Sequence, residues 1–215
     1  MKLWKYMLAS LLLLTGCTPA GKPTETSAPV VSQEPAKNAG KIELTTLPTD
    51  MSAYMFLDDP DHVFEEVTTE ESLKLFVNGT GIVIYSYETC PWCNRVMPVL
   101  NEAAKAKGVK VFYVNIYSDA FMQLSNQEKS DQIQALYTCL DPILDREKDE
   151  TTGKEKPVMQ VPEVVAVKDG KITAHHMGIV DGFKLDPDKL SEYQVSKSQV
   201  KELKNIYLEL IDSIK

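Results

Sequence analysis

Four cysteines punctuate the chain, at positions 17, 90, 93 and 139, and only two of them are close together. Cys90 and Cys93 enclose Pro91 and Trp92 and follow the run Ile82-Val83-Ile84-Tyr85-Ser86-Tyr87, which is rich in β-branched and aromatic residues. A Cys-X-X-Cys pair between a strand and the start of a helix is the arrangement that disulfide exchange requires. At a helix N-terminus, free N–H groups and the positive end of the dipole stabilise a thiolate on the first cysteine. One turn later, the second cysteine can reach a mixed disulfide formed on the first. Cys90 is therefore expected to attack and Cys93 to resolve. Pro91 suits the first turn of a helix. Trp92 shields the pair and offers a partner an apolar contact.

Other chemistries fit these residues less well. A zinc ribbon or knuckle needs a second pair of ligands at suitable spacing, and the sequence offers none. Covalent haem attachment needs a histidine after the second cysteine, where Asn94 stands. Copper delivery would add a histidine. His175-His176 are neighbours in a predicted strand, however, and point to opposite faces. No metal or organic cofactor is implied. His62 and Arg95 are expected in solvent. Cys139 shares an apolar stripe with Leu136, Leu140 and Ile143, so it reads as a small buried hydrophobe, with a third redox cysteine as the alternative.

The elements that must position the pair follow from periodicity. Residues 63–67 suggest a first strand. Thr68 or Thr69 with Glu70 and Glu71 opens a helix carrying Leu73, Leu75 and Phe76, and Asn78-Gly79-Thr80-Gly81 stops it. The run at 82–87 reads as a central strand covered on both faces. After the cysteines, Val96, Met97, Leu100, Ala103 and Ala104 recur at helical spacing up to Gly108. Val109 to Tyr117 is a further strand, and strand–helix–strand implies a parallel pair with a right-handed crossover. Residues 119–147 read as helical, with Ile133, Leu136, Leu140, Ile143 and Leu144 on one stripe, and 145–156 as a polar loop. Val164 to Val167 and Ile172 to His176 flank Lys168-Asp169-Gly170-Lys171, a hairpin signal. Ser196 to Ile214 is amphipathic, with Val200, Leu203, Ile206, Tyr207, Leu210 and Ile211 on its apolar side. The fold class is thus α/β: a mixed central sheet flanked by helices.

The whole chain sets further bounds. At 215 residues, with 43% hydrophobic and 25% charged residues, it holds one domain plus tails. A net charge of −8 leaves no basic face for phosphates, so nucleic acid is not expected as a partner. Lys2 and Lys5 precede a short apolar run, Met7 to Leu14, that is too short to span a bilayer and reads as a signal peptide over residues 1–16. Leu14-Thr15-Gly16-Cys17 resembles the lipobox of bacterial lipoproteins. That resemblance implies a mature N-terminus at Cys17 carrying a diacylglyceryl group. Each buried methylene contributes roughly 0.8 kcal/mol, so two or three acyl chains anchor a protein stably. The alternative is a plain secretory signal with an incidental cysteine. Residues 17–45, with Pro19, Pro23, Pro29 and Pro35, read as a tether, and 46–215 as the domain.

Tyr85-Ser86-Tyr87-Glu88-Thr89-Cys90-Pro91-Trp92-Cys93 resembles the active-site strand and turn of the thioredoxin superfamily. It is locally similar to glutaredoxins and to thioredoxin-like lipoproteins that serve as bacteriocin transport accessory proteins. The resemblance implies a thioredoxin-like fold, covers roughly residues 63–180, and extends to Val161-Pro162 ahead of the hairpin. In the family that bond is cis, lies beside the two sulfurs, and pairs its backbone with the bound substrate chain. Val161, Pro162 and Trp92 are accordingly the expected substrate contacts. The implied partners are extracytoplasmic client proteins held through a mixed disulfide and a membrane protein that recycles the pair.

Three departures qualify the resemblance. Thioredoxins place a buried acid six residues before the first cysteine, and here Ile84 stands there; Glu88 is the candidate substitute. The Gly-Gly pair that glutaredoxins use near glutathione is missing after Pro162. Residues 118–157 lengthen the interval before Pro162, as extra packing or as a lid or partner surface. The other functional class is a non-catalytic accessory protein for export of, or immunity to, a secreted peptide.

Overall fold

Alternation along β2 (Gly81–Ser86) sets the architecture, because every residue from Ile82 to Ser86 is buried and successive side chains enter opposite layers. The computed structural model describes residues 42–215. Cys17, the expected signal segment and most of the expected tether lie outside them. Residues at the near edge of that tether already contact the domain: Leu44 packs on the core, and the Thr45 N–H donates to Glu71 Oε1 at 2.7 Å.

Five strands form the sheet in the order β1-β3-β2-β6-β7. The first, β1 (Phe64–Glu66), pairs parallel with β3 (Val111–Asn115), and β3 pairs parallel with β2. On the other side of β2, β6 (Glu163–Lys168) runs antiparallel, and β7 (Lys171–Met177) closes the hairpin. Asp169 (φ 50°) and Gly170 (φ 77°) both adopt the left-handed conformation that a two-residue hairpin turn requires. A Cβ on Gly170 would sit 2.6 Å from the Val77 carbonyl oxygen.

One layer places α3 (Pro91–Lys107) and α6 (Lys197–Asp212) over Ile82, Ile84, Tyr113, Val164 and Ala166. Val96, Met97 and Leu100 meet Leu203, Tyr207, Leu210 and Ile211 there, and each such large apolar side chain contributes roughly 1.5–3 kcal/mol on full burial. Local signals fix the helix ends. Ser196 and Gln199 form a capping box on α6, and Gly108 (φ 65°) closes α3. The opposite layer covers Val83, Tyr85, Val165 and Val167 with α1 (Thr69–Leu73, capped by Thr68), α2 (Leu75–Asn78) and part of the insertion.

The insertion departs from its sequence reading. The expected helix over 119–147 is two helices, α4 (Asp119–Met122) and α5 (Asn126–Leu140), separated at the Ser125–Glu128 capping box. Leu136, Leu140 and Leu144 are buried, whereas Ile133 is exposed and Cys139 only half-buried. The expected loop 145–156 holds a second small sheet, β4 (Asp145–Lys148) with β5 (Glu155–Val158). Its turn forms where Asp149 Oδ1 accepts the N–H groups of Thr151 and Thr152, with Gly153 at φ 67°. Every β4 residue is exposed, so the strand carries no apolar alternation for sequence reasoning to find.

Candidate active site

Cys90 is the N-cap of α3, with its sulfur accepting from the Cys93 N–H at 3.2 Å. Burial separates it from the resolving position only slightly, since Cys90 is 3% exposed and Cys93 fully buried. Their acidities diverge far more. A hydrogen bond from the Cys93 thiol holds the Cys90 sulfur down at about 7, aided by the N–H groups of Cys93 and Trp92 and opposed by burial. Burial pushes the Cys93 thiol well up, and its bond to Cys90 adds to that. One proton is shared by the pair and sits on Cys93. A thiolate is therefore available at neutral pH on the sulfur nearer the surface.

The cleft above Cys90 has a volume of about 550 Å³ and is bounded by Tyr87, Trp92, Val161, His176 and the loop 178–183. Trp92 is exposed at its rim. The Val161–Pro162 peptide bond is cis, and the Cys90 sulfur lies 3.9 Å from the Val161 carbonyl oxygen. Pro162 gives its own carbonyl to the Gly178 N–H at 2.9 Å, which ties the loop to β7. The insertion supports it as well: Tyr137 Oη on α5 accepts from the Met159 N–H at 3.3 Å. Beside the cleft, sharing Tyr87 and Val161 with it, runs an apolar groove walled by Tyr117, Phe121, Ile133 and Tyr137. The insertion thus packs into the core along one side and lines the approach to Cys90 along the other.

Several sequence expectations need correcting. Arg95, expected in solvent, is fully buried. Its guanidinium donates to the carbonyls of Pro91 (2.6 Å), Leu190 (3.0 Å) and Glu192 (2.7 Å) and lies 5.2 Å from the centre of the Phe56 ring. Carbonyl acceptors and an aromatic face replace the water a buried cation gives up. Glu88, the candidate proton acceptor, accepts from Asn115 Nδ2 at 2.8 Å, and neither sulfur is among its partners. Cys139 is half-buried, and burial raises its thiol.

The two histidines do face apart. His176 stacks edge-on against Tyr207 and uses Nε2 on the Ile179 carbonyl. His175 places Nδ1 3.0 Å from Glu163 Oε1. Glu163, only 3% exposed and next to Pro162, went unnoticed in the sequence. A charged residue amid Val161-Pro162 and Val164-Val165 was the available signal.

Sequence reasoning also missed a cluster of buried hydroxyls at the end of β2. Tyr54 Oη lies 2.8 Å from Ser86 Oγ and 3.2 Å from Tyr113 Oη, and all three residues are buried. Tyr54 belongs to a segment before the first strand. Asn94 holds that segment by accepting the Met55 N–H at 2.6 Å, and Asn101 by accepting the Val63 N–H at 3.0 Å.

With this geometry in hand, comparison with known proteins decides the family. The Redoxin family model matches residues 60–184, more than half of the chain. The chain belongs to the redoxin family. Among solved structures, a thioredoxin from Aeropyrum pernix is similar at 22% identity, covering 52% of this chain and 73% of its own, with a TM-score of 0.32. No curated protein matches. The chain is a member of the thioredoxin superfamily with a mixed α/β thioredoxin-like fold and a thiol-based redox function. Within this redoxin the matched span takes in Cys90, Cys93 and Pro162 and ends just past the 178–183 loop.

Proposed function

We propose that this redoxin is a thiol–disulfide oxidoreductase acting on the dithiols and disulfides of extracytoplasmic client proteins. The observation that carries the reading is the placement of Cys90 at the N-cap of α3 and the floor of an open cleft, with its sulfur accepting from the Cys93 N–H and Cys93 buried one turn behind it. The Cys90 thiolate attacks a client disulfide, forms the mixed disulfide and releases one client thiol. Cys93 then attacks Cys90, and the second client sulfur leaves. Run backwards, the same steps donate a disulfide.

Val161 supports client pairing, because among the described residues no hydrogen bond takes up its N–H. An extended client strand beside the cis-Pro162 loop would find that donor available, with Trp92 offering an apolar contact. Cys17 is the proposed lipid attachment that holds the domain at the outer face of a cytoplasmic membrane, where a membrane redox protein would recycle the pair. No helix among the described residues is long and apolar enough to cross a membrane.

The test is the reduction potential of the Cys90–Cys93 couple in defined thiol–disulfide buffers. A value near about −270 mV would make the protein a reductant, and one near about −120 mV an oxidant. A couple that never equilibrates would sink the exchange reading and favour a non-catalytic accessory role. Membrane fractionation checks the anchor, since Cys17→Ala should move the chain to the soluble fraction.

A further inference from the structure

The residue after Cys93 is an asparagine, a type that sits poorly inside a helix because its amide competes with the backbone for hydrogen bonds. Asn94 is nevertheless buried in α3, and both ends of its amide are occupied. Nδ2 donates to the Glu88 carbonyl and to the Cys90 carbonyl at 3.1 Å, while Oδ1 accepts the Met55 N–H at 2.6 Å. Two carbonyls and one N–H suit a single orientation of the amide, since the flipped form would set its oxygen against both carbonyls.

Glu88 and Cys90 flank Thr89 in the turn that carries the chain from β2 into α3. Within that turn one backbone hydrogen bond is made, from the Cys90 N–H to the Tyr87 carbonyl at 3.2 Å. The turn must hold Cys90 at the N-cap, with φ −73° and ψ 119°, for its sulfur to meet the Cys93 N–H. Such bonds weaken steeply as their angle opens, so a loose turn would lose the donor that a thiolate needs. Asn94 supplies two further bonds, one on each side of Thr89, and ties them to the segment before β1. Phe56, the next residue of that segment, stacks edge-on against Tyr193, with ring centres 5.2 Å apart.

We propose that Asn94 is a positioning residue for Cys90: its amide locks the 87–90 turn against the segment before β1 and so presets the helix end that receives the thiolate. The donors are then in place before charge develops on the sulfur, and none has to reorganise at the moment of attack. Two helical turns further along α3, Asn101 grips the same segment in a parallel way. Its Oδ1 accepts the Val63 N–H at 3.0 Å and its Nδ2 donates to Asp59 Oδ2 at 2.7 Å. The two asparagines thus share the work of holding the segment, but Asn94 alone of the pair also bonds the Cys90 turn.

The inference rests on the exchange reading, and one experiment separates the two. The reduced full-length chain carrying Cys17→Ala and Cys139→Ala is labelled with iodoacetamide across a pH series, and peptide masses report the label on Cys90. Tyr87, His176 and Asp181 line the cleft with Cys90, Cys93 lies behind it, and the Glu88 carboxylate is held by Asn115. Asn94 hydrogen-bonds none of these side chains, so a moved midpoint reports the turn. In Asn94→Ala the midpoint of Cys90 labelling should rise by about one unit. Asn101→Ala should lower Tm but leave that midpoint within about 0.3 unit. Asn94→Ser, whose hydroxyl can donate to the carbonyl four residues back, should recover part of the shift. Should Asn94→Ala not fold, Asn94→Ser decides by the same reading, with a smaller rise expected. An unchanged midpoint in the folded Asn94 variants, or an equal rise in Asn101→Ala, would overturn the positioning role and leave exchange standing. A parent chain whose Cys90 labels at neutral pH no faster than an ordinary free cysteine would overturn both.

Discussion

The two faces of the central sheet bury polar groups of opposite kinds. On the α3 face, Ser86 meets the phenols of Tyr54 and Tyr113 in a cluster of uncharged hydroxyls, and Cys90 and Cys93 sit nearby at the start of α3. On the insertion face, Tyr85 pairs in register with Glu163, and Glu163 meets His175. Burial favours the uncharged form of both Glu163, pushed up to about 8 with Asp145 contributing, and His175, pushed down. Glu163 Oε1 and His175 Nδ1 lie 3.0 Å apart, and the surroundings of each disfavour its charged form. Adjacent residues of the same strands, Tyr85 and Ser86 or His175 and His176, serve these different layers. A thioredoxin-like sheet can thus hold its redox chemistry on one face and a pH-sensitive structural pair on the other, separated by one strand thickness.

The sharpest way to break this division is by cysteine. Cys90→Ser should abolish dithiol–disulfide turnover, whereas Cys139→Ala, on the insertion side, should leave turnover within about twofold. An insulin-reduction assay on both variants checks this, and equal losses would erase the distinction between faces.

Next in size is Arg95, which holds the start of α3 to residues 190–192. Arg95→Met keeps the apolar stem but leaves three carbonyls without their donor. We expect a loss of about 2–4 kcal/mol in urea unfolding. A loss below about 0.5 kcal/mol would mean that the buried guanidinium only fills space.

The third expectation concerns the insertion face and is smaller. A carboxyl with a folded pKa of about 8, against 4.5 ordinarily, stabilises the fold most at low pH, and that contribution is lost as pH rises through about 8. His175 acts in the other direction, and its lowered pKa removes stability as pH falls below about 6.5. Glu163→Gln should therefore flatten the decline in Tm between about pH 6 and pH 9 while leaving the pH dependence of Cys90 reactivity unchanged. A shift in the Cys90 profile would show that the faces communicate.

Much of this was legible before any coordinates. Periodicity placed β2, α3, β6, β7 and α6 within a few residues, because each has one face or both faces apolar. The β4–β5 hairpin was not legible, since exposed strands leave no such mark. Arg95 was misread because two residues past a cysteine says nothing about the loop 190–192 that folds over it. Glu88 is near Cys90 in sequence, but its carboxylate turns to Asn115.

The sequence by itself determined where the two cysteines lie, since four residues at a strand–helix junction fix both the spacing of the sulfurs and the helix end beside the first. It determined, too, that the strand position before them carries no acid. Only the tertiary structure decided which polar groups gather in the layer beside the pair. Tyr54, Ser86 and Tyr113 lie up to 59 residues apart, and their hydroxyls meet where Asn94, Asn101 and the buried Met51 and Leu57 hold the N-terminal segment against the domain. Contacts of that range follow from how the layers pack, and no local pattern encodes them.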